Sequence, residues 1–318
     1  MQEFEINPND AGQRLDKYLS KRFPKLPKSL AYKFIRTKKI KVNRVRAYPD
    51  QFLESGDVVS TFIPYEFTEA PNGVEDFKSI SDPQIDVIYE DSDMIVVDKP
   101  AGVSVIPDEH DKINVLINSI KAYLYKRGEY DPDVEGSFAP SLCNRLDRNT
   151  GGLVIAAKNA ASLREINELI RQRKVTKKYL CVVHGIPENK EAVLRGYMVK
   201  DPVKNLVAVY KRDPENGDAR TMITGYRVLA EKNGYALLEV ELFTGRTHQI
   251  RAHLASIGHP LLGDGKYGIN KEDRKMGYKY QVLYSYYLEI KGKIITVPLN
   301  KIRFVNELFP EVIKNKNG

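Results

Sequence analysis

The chain has no tryptophan, two cysteines and five histidines among its 318 residues. With only Cys143 and Cys181, neither a disulfide framework nor a thiolate-built zinc centre is expected. His248 and His253 miss the i, i+4 spacing of a zinc helix, and no Glu lies between them, so no metal is expected. No apolar run approaches the ~20 residues that span a bilayer. The opening Met1-Gln2-Glu3-Phe4-Glu5 lacks the basic-then-apolar order of a secretory leader. These absences predict a cytoplasmic protein with no membrane partner and no cofactor, long enough for two domains, and taken as a monomer.

Acidic residues are missing from one stretch in particular. Between Asp16 and Asp50 there are 12 basic residues and no acid. Residues 1–65 carry a net +6 and the remainder only +2. The basic block is interleaved with apolar residues, so it folds, and a one-signed folded surface attracts polyanions by counterion release. Arg36, Lys38 and Lys41 of this block are the expected RNA contacts.

Leu15, Leu19 and Phe23 recur at a spacing of four and predict a helix ending before Pro24. Leu30, Phe34 and Ile35 predict a second helix after Pro27, with Ser29 as its cap. Ile40-Lys41-Val42-Asn43 alternates as a strand, and Gly56-Asp57-Val58-Val59 turns into another. Arg14-Leu15-Asp16-Lys17-Tyr18-Leu19, Ile40-Lys41-Val42-Asn43 and Gly56-Asp57 together resemble the αL RNA-binding domain first recognised in a small-subunit ribosomal protein. That family usually has glycine where Lys39 and Arg44 stand.

The domain plan is an αL-type domain over 1–65, a linker over 66–84 rich in Pro and Gly signals, a larger domain over 85–310 and a basic tail over 311–318. In the larger domain, strands are predicted at 87–89, 94–97, 153–157, 179–183, 236–243, 282–290 and 293–297. Helices are predicted at 160–173, capped by Asn159, and at 248–257, ended by Gly258. Strands outnumber helices without alternating with them. The fold class is therefore α+β, a mixed, largely antiparallel sheet with flanking helices.

The chemistry concentrates in Asn144-Arg145-Leu146-Asp147-Arg148-Asn149-Thr150-Gly151-Gly152-Leu153, a charged loop entering a buried strand. Taken alone, Asp147 between two arginines reads as a surface ion pair whose cations favour the carboxylate form. A glycosidase carboxylate pair with Asp98 or Asp264 needs a proton-donating acid, which those cations disfavour. Cys143 has no His neighbour in sequence and reads as a packing residue.

The whole loop resembles the signature of the RluA-type pseudouridine synthases. That resemblance implies that Asp147 is the catalytic residue, although the family commonly has His at Asn144 and Ser or Thr at Gly151. Asp98-Lys99-Pro100-Ala101-Gly102 resembles the family's first motif. Lys178-Tyr179-Leu180 resembles the segment supplying an active-site tyrosine, here Tyr179. Gly245-Arg246-Thr247-His248-Gln249-Ile250-Arg251-Ala252-His253-Leu254 resembles the third motif, whose arginine, here Arg246, is implied to pair with the catalytic Asp. Arg145, Lys99, His248, Gln249 and Arg251 are the RNA contacts this implies.

The implied reaction cuts the base–sugar bond, turns the uracil and rejoins it through carbon, needing neither ATP nor a metal. Structured RNA, with ribosomal RNA foremost, is the implied partner. The other class the basic block permits is a non-catalytic RNA-binding or ribosome-assembly protein. Asp147, Tyr179 and Arg246 together favour the enzyme.

Overall fold

A computed structural model describes residues 1–67, 76–109, 111–201, 203, 206–215 and 217–314. The N-terminal domain comprises β1 (Gln2–Glu5), α1 (Leu15–Arg22), α2 (Lys28–Arg36), β2 (Ile40–Val42), β3 (Val45–Arg46) and β4 (Val58–Thr61), with sheet order β1-β4-β2-β3. Leu15, Leu19, Phe23, Phe34, Ile35, Ile40, Val42 and Val59 form its core. This leaves Arg36 and Lys38 exposed and Lys41 half-buried on the opposite faces. Pro27, not Ser29, stands at the N-cap of α2, with no side-chain cap. The Pro27 carbonyl accepts from the Leu30 and Ala31 amides at 2.9 and 3.0 Å, which starts the helix without a side-chain cap.

Asn43 and Arg44, both at positive φ, turn β2 into β3. Two left-handed residues in succession make the turn whose twist matches a hairpin. Arg44 therefore adopts a left-handed backbone that favours glycine, whereas beside Lys39 it is Lys38 that takes positive φ.

Single turns stand at the start of the predicted linker, Tyr65–Phe67, and within it, Asp76–Ser79. Residues 68–75 of that predicted linker, and 315–318 of the predicted tail, lie outside the described residues.

The larger domain runs β5 (Asp86–Glu90), β6 (Met94–Lys99), α3 (Leu116–Lys126), β7 (Ser141–Leu142), β8 (Gly151–Ala157), α4 (Ala160–Arg171), β9 (Thr176–His184) and β10 (Glu191–Asp201). It continues β11 (Leu206–Tyr210), β12 (Arg220–Lys232), β13 (Tyr235–Leu242), α5 (Gln249–Ser256), α6 (Lys271–Lys275), β14 (Leu283–Ile290), β15 (Lys293–Thr296), α7 (Arg303–Leu308) and α8 (Pro310–Lys314). Its sheet follows the order β11-β10-β12-β13-β9-β14-β8-β6-β5, with β15 on β14 and β7 on β8. Only the β8–β14 pairing is parallel among the described strands, so the sheet is mixed and largely antiparallel.

Both faces of the sheet are buried. Val97, Val154, Tyr179 and Leu238 face α3 and α5, while Val96, Leu153, Leu180 and Leu237 face α4 and α7. Alternate side chains leave a strand on opposite faces, so a strand covered on both sides reads as an unbroken apolar run, as Leu153–Ala157 does. The half-exposed β10 and β12, with their mixed polar pattern, and α3 gave no comparably clear signal. No helix among the described residues is long and apolar enough to cross a membrane.

One row across the sheet sets up the site. Lys99 on β6 pairs with Gly152 on β8, Gly152 with Ser285 on β14, and Ser285 with Tyr179 on β9. Gly152 has φ of 112°, and a Cβ there would lie 2.1 Å from the Ser285 carbonyl oxygen. Only glycine lets β8 and β14 meet here.

The two domains dock through a short polar seam. Asn9 Nδ2 donates to Glu135 Oε1 at 3.0 Å, and Asn9 Oδ1 accepts from the Ala160 amide at 3.2 Å. Buried Asp10 accepts from the Ser137 amide at 2.8 Å, and Arg164 Nη1 donates to the Ala11 carbonyl at 3.1 Å.

Candidate active site

The loop between β7 and β8 carries Asp147 into a cleft of about 1100 Å³, lined among others by Arg145, Tyr179, Arg246, His248 and Leu283. The loop is fastened from below. The Thr150 amide donates to the Asp147 carbonyl at 3.0 Å, closing a turn, and the Gly102 amide donates to the Arg148 carbonyl at 2.9 Å. Asn144 Oδ1 accepts from the Ile155 amide at 2.7 Å, so this side chain ties the loop entrance to β8. At Gly151 an added Cβ would meet the Tyr284 ring at 2.9 Å. That ring occupies the space a Ser or Thr side chain would need, and its hydroxyl donates to Asp98.

Lys99 was expected on RNA, and its position corrects that. Its ammonium is fully buried and donates to the carbonyls of Pro100, Val103 and Arg148 at 2.9, 2.8 and 3.0 Å. All three donors are used on backbone, which leaves none for a phosphate. Burial lowers its pKa to about 8, against the opposing charges of Asp147 and Asp98. Lys99 is thus a staple under the Asp147 turn.

The expected pairing of Arg246 with Asp147 is corrected as well. Arg251 Nη1 donates to Asp147 Oδ2 at 3.1 Å, while Arg246 Nε donates to the Thr221 carbonyl at 3.4 Å. Arg251 also grips Asp264 through two bonds, Nε to Oδ2 at 2.7 Å and Nη2 to Oδ1 at 2.9 Å. One planar guanidinium therefore bridges two carboxylates, which an ammonium cannot do with the same geometry. Burial raises the Asp264 carboxyl. The Arg251 hydrogen bonds and charge, with the Lys266 and Tyr267 amides, outweigh this and hold it below the usual range. Arg251 is buried and so engaged, not free on RNA as expected.

Gln249 is also buried. It donates to the Ile223 carbonyl at 2.9 Å and accepts from the Arg246 amide at 3.1 Å, which makes it a brace for the segment before α5. His248 stays in the cleft. It caps α5 at φ of 52°, a left-handed conformation that costs a non-glycine residue about 1–3 kcal/mol and tends to persist at functional sites. Its Nδ1 lies 2.9 Å from the Tyr267 hydroxyl and its Nε2 3.8 Å from Asp147 Oδ2. Burial lowers the His248 pKa, with the Arg251 charge acting in the same direction and Asp147 against it.

The flanking arginines do not pair with Asp147. Arg145 is exposed at the rim of the cleft. Arg148 Nε donates to Ser104 Oγ at 2.9 Å and its Nη2 approaches Asp108 at 3.4 Å. Tyr179 is buried in the cleft wall beside Leu146, Ile250 and Leu283, and burial pushes its phenol up to about 12. Burial likewise pushes the Cys143 thiol up to about 12, consistent with packing. Asp147 Oδ1 has no side-chain partner among the described residues, and the Asp147 side chain is 30% exposed. The cleft thus presents the Asp147 carboxylate held through one oxygen, a cationic rim and an aromatic wall.

Behind the cleft, His253 is buried against Thr224, its Nδ1 3.0 Å from the hydroxyl, and burial lowers its pKa from 6.5 to about 4. The folded state therefore holds this ring neutral where the unfolded chain would protonate it. Its stability contribution is complete above pH 6.5 and is lost as pH falls toward 4, to a total of about 3 kcal/mol. Urea titrations at pH 7.5 and 4.5 check this. The difference between the two should shrink in His253→Gln, and an unchanged difference would assign the acid sensitivity to other groups.

The description RNA pseudouridylate synthase matches residues 93–256, and S4 domain matches residues 13–59. An uncharacterized RNA pseudouridine synthase of Mycoplasma pneumoniae is 34% identical over 276 residues, covering 86% of this chain and 83% of its own. A ribosomal large subunit pseudouridine synthase C of Pasteurella multocida is 30% identical over 274 residues, covering 85% and 79%. Human RNA Pseudouridylate Synthase Domain Containing 4 superposes with a TM-score of 0.56 at 22% identity, covering 72% of this chain and 93% of that one, a likeness of fold.

Proposed function

This chain belongs to the RNA pseudouridylate synthase family, of the RluA type with an N-terminal S4 domain, and from that premise we propose that it isomerises uridines of large-subunit ribosomal RNA with Asp147 as the catalytic carboxylate. The observation that carries the assignment is the asymmetry at Asp147: Oδ2 is held by Arg251, and Oδ1 has no protein partner among the described residues. A carboxylate fixed through one oxygen and open at the other is oriented before substrate arrives, which is how positioned groups contribute to catalysis.

The remaining parts fit a flipped nucleotide. A uridine inside a helix must leave its stack at a cost of a few kcal/mol. The cleft of about 1100 Å³ offers it a wall formed by Tyr179 and Leu283. Arg145 and Arg246 at the cleft meet the phosphates or fill the place the base vacated. Asp147 then acts on the ribose–uracil bond, N1–C1′ breaks, the freed uracil turns within the walls, C5 bonds to C1′, and the proton lost from C5 is balanced by one taken up at N1. The product has the same atoms and electrons as the substrate, so no oxidant, reductant or co-substrate enters the balance. His248, held toward its neutral form by burial, keeps a second positive charge away from Asp147.

The ribosomal target rests on the name of the Pasteurella multocida relative, a warrant of likeness. Purified full-length protein incubated with large-subunit ribosomal RNA transcripts and with transfer RNA tests it, with pseudouridine mapped by carbodiimide chemistry. Modification of a small set of uridines in the large-subunit transcript is expected. Modification confined to transfer RNA would overturn the target while leaving the reaction.

A further inference from the structure

A second recess, of about 380 Å³, lies in the S4 domain between α2 and the segment following β3. Tyr32, Lys33 and Arg36 line it from the helix, Arg46 from the end of β3 and Tyr48 from the segment after it. Ile35 and Ala47 at its lining are buried, and no carboxylate lines it among the described residues. Each ring is approached by a cation. The Arg46 guanidinium stands 5.4 Å from the centre of the Tyr48 ring, and the Lys28 ammonium 5.6 Å from that of Tyr32.

The Tyr32 ring is held through its hydroxyl, and the Tyr48 backbone is fastened. The Tyr32 hydroxyl donates to Asp16 Oδ2 at 2.7 Å. Asp16 is buried and is itself gripped by Arg14, Nε to Oδ1 at 3.1 Å and Nη2 to Oδ2 at 3.0 Å. The Tyr48 amide donates to Gln51 Oε1 at 2.7 Å, and the Gln51 amide donates back to the Tyr48 carbonyl at 3.2 Å. Tyr48 is nevertheless 55% exposed. An aromatic ring carried on a fastened backbone, open to water and flanked by cations, is arranged for a planar partner that carries negative charge.

Phosphate alone needs no aromatic face, and the paired bases of a duplex hide theirs in the stack. We propose that this recess takes one unstacked base of a single-stranded RNA segment, its face on Tyr48, with Lys33, Arg36 and Arg46 meeting the adjacent phosphates. The proposal rests on the reading of RNA as substrate and adds where, outside the catalytic cleft, an unpaired nucleotide is held. Tyr32 serves as a positioning residue that sets the inner wall of the recess.

The experiment compares binding of full-length protein to a single-stranded oligoribonucleotide and to a duplex of equal length. One base of the single strand is replaced by fluorescent 2-aminopurine, which is quenched when stacked. Tyr48→Ala should weaken single-strand binding about 5- to 150-fold and relieve the quenching. Tyr48→Phe should retain both, and duplex binding should not change. Arg46→Gln should lower the slope of log affinity against log salt by about 0.7, whereas Tyr48→Ala should leave the slope alone. Equal losses on single strand and duplex in Tyr48→Ala, or no loss on either, would overturn the proposal. Binding is read without turnover, so pseudouridine formation measured on the same preparations tells failure of this recess from failure of the catalytic assignment.

Discussion

Asp147→Asn is expected to abolish pseudouridine formation while leaving the fold and RNA affinity close to wild type. Asparagine has the same shape and still offers an oxygen to Arg251 Nη1, now 3.1 Å from Asp147 Oδ2. Arg251 keeps its two bonds to Asp264, so the substitution strands no unpaired buried cation. What disappears is the negative charge and the basicity of the open oxygen. A thousandfold fall in single-turnover rate, about 4 kcal/mol of lost transition-state stabilisation, is the expected size. Rates on a ribosomal transcript, thermal melts and equilibrium binding check the three parts separately. Retention of more than a few per cent of the wild-type rate would remove Asp147 from the chemistry. Lost binding with the rate intact at saturating RNA would make it a substrate contact.

Arg251→Ala is expected to damage both stability and activity, and more severely than Arg246→Ala. The guanidinium of Arg251 is buried between Asp147 and the fully buried Asp264, and its loss leaves the latter without its counter-charge. Removing one partner of a buried pair typically costs 3–5 kcal/mol. Asp264 Oδ1 also accepts from the Lys266 amide at 2.9 Å and the Tyr267 amide at 3.2 Å, so the turn beside His248 loosens with it. Arg251→Lys restores charge but not the fork that reaches two carboxylates, so it recovers part of the stability and little of the rate. Arg246 makes one long contact with the Thr221 carbonyl from an exposed position. Arg246→Ala should therefore melt within about 0.5 kcal/mol of wild type, the range of ordinary surface changes, and show its effect in RNA binding. Urea denaturation of the three variants decides the matter. Equal stability of Arg251→Ala and wild type would mean the bridge carries no net energy.

The amino-acid sequence by itself determined the loop that carries Asp147, the S4-type domain and most central strands. Those signals are local. A charged turn ending in Gly151-Gly152 and running into Leu153–Ala157 reads the same whatever surrounds it, and strands buried on both faces announce themselves as unbroken apolar runs. Asn159 capping α4 and Gly258 ending α5 are equally local, because a cap acts within one helical turn. Tertiary structure alone decided which arginine meets Asp147. Arg246 precedes α5 and Arg251 lies within its first turn, and the left-handed backbone at His248 separates their directions. The partner that selects Arg251, Asp264, stands thirteen residues further on, beyond the reach of any helical spacing rule. Lys99 and Gln249 changed from RNA contacts to buried braces for the same reason. A lysine or glutamine in a motif looks polar and available in sequence, and whether its donors end on phosphate or on backbone carbonyls depends on strands and loops that only folding brings beside it.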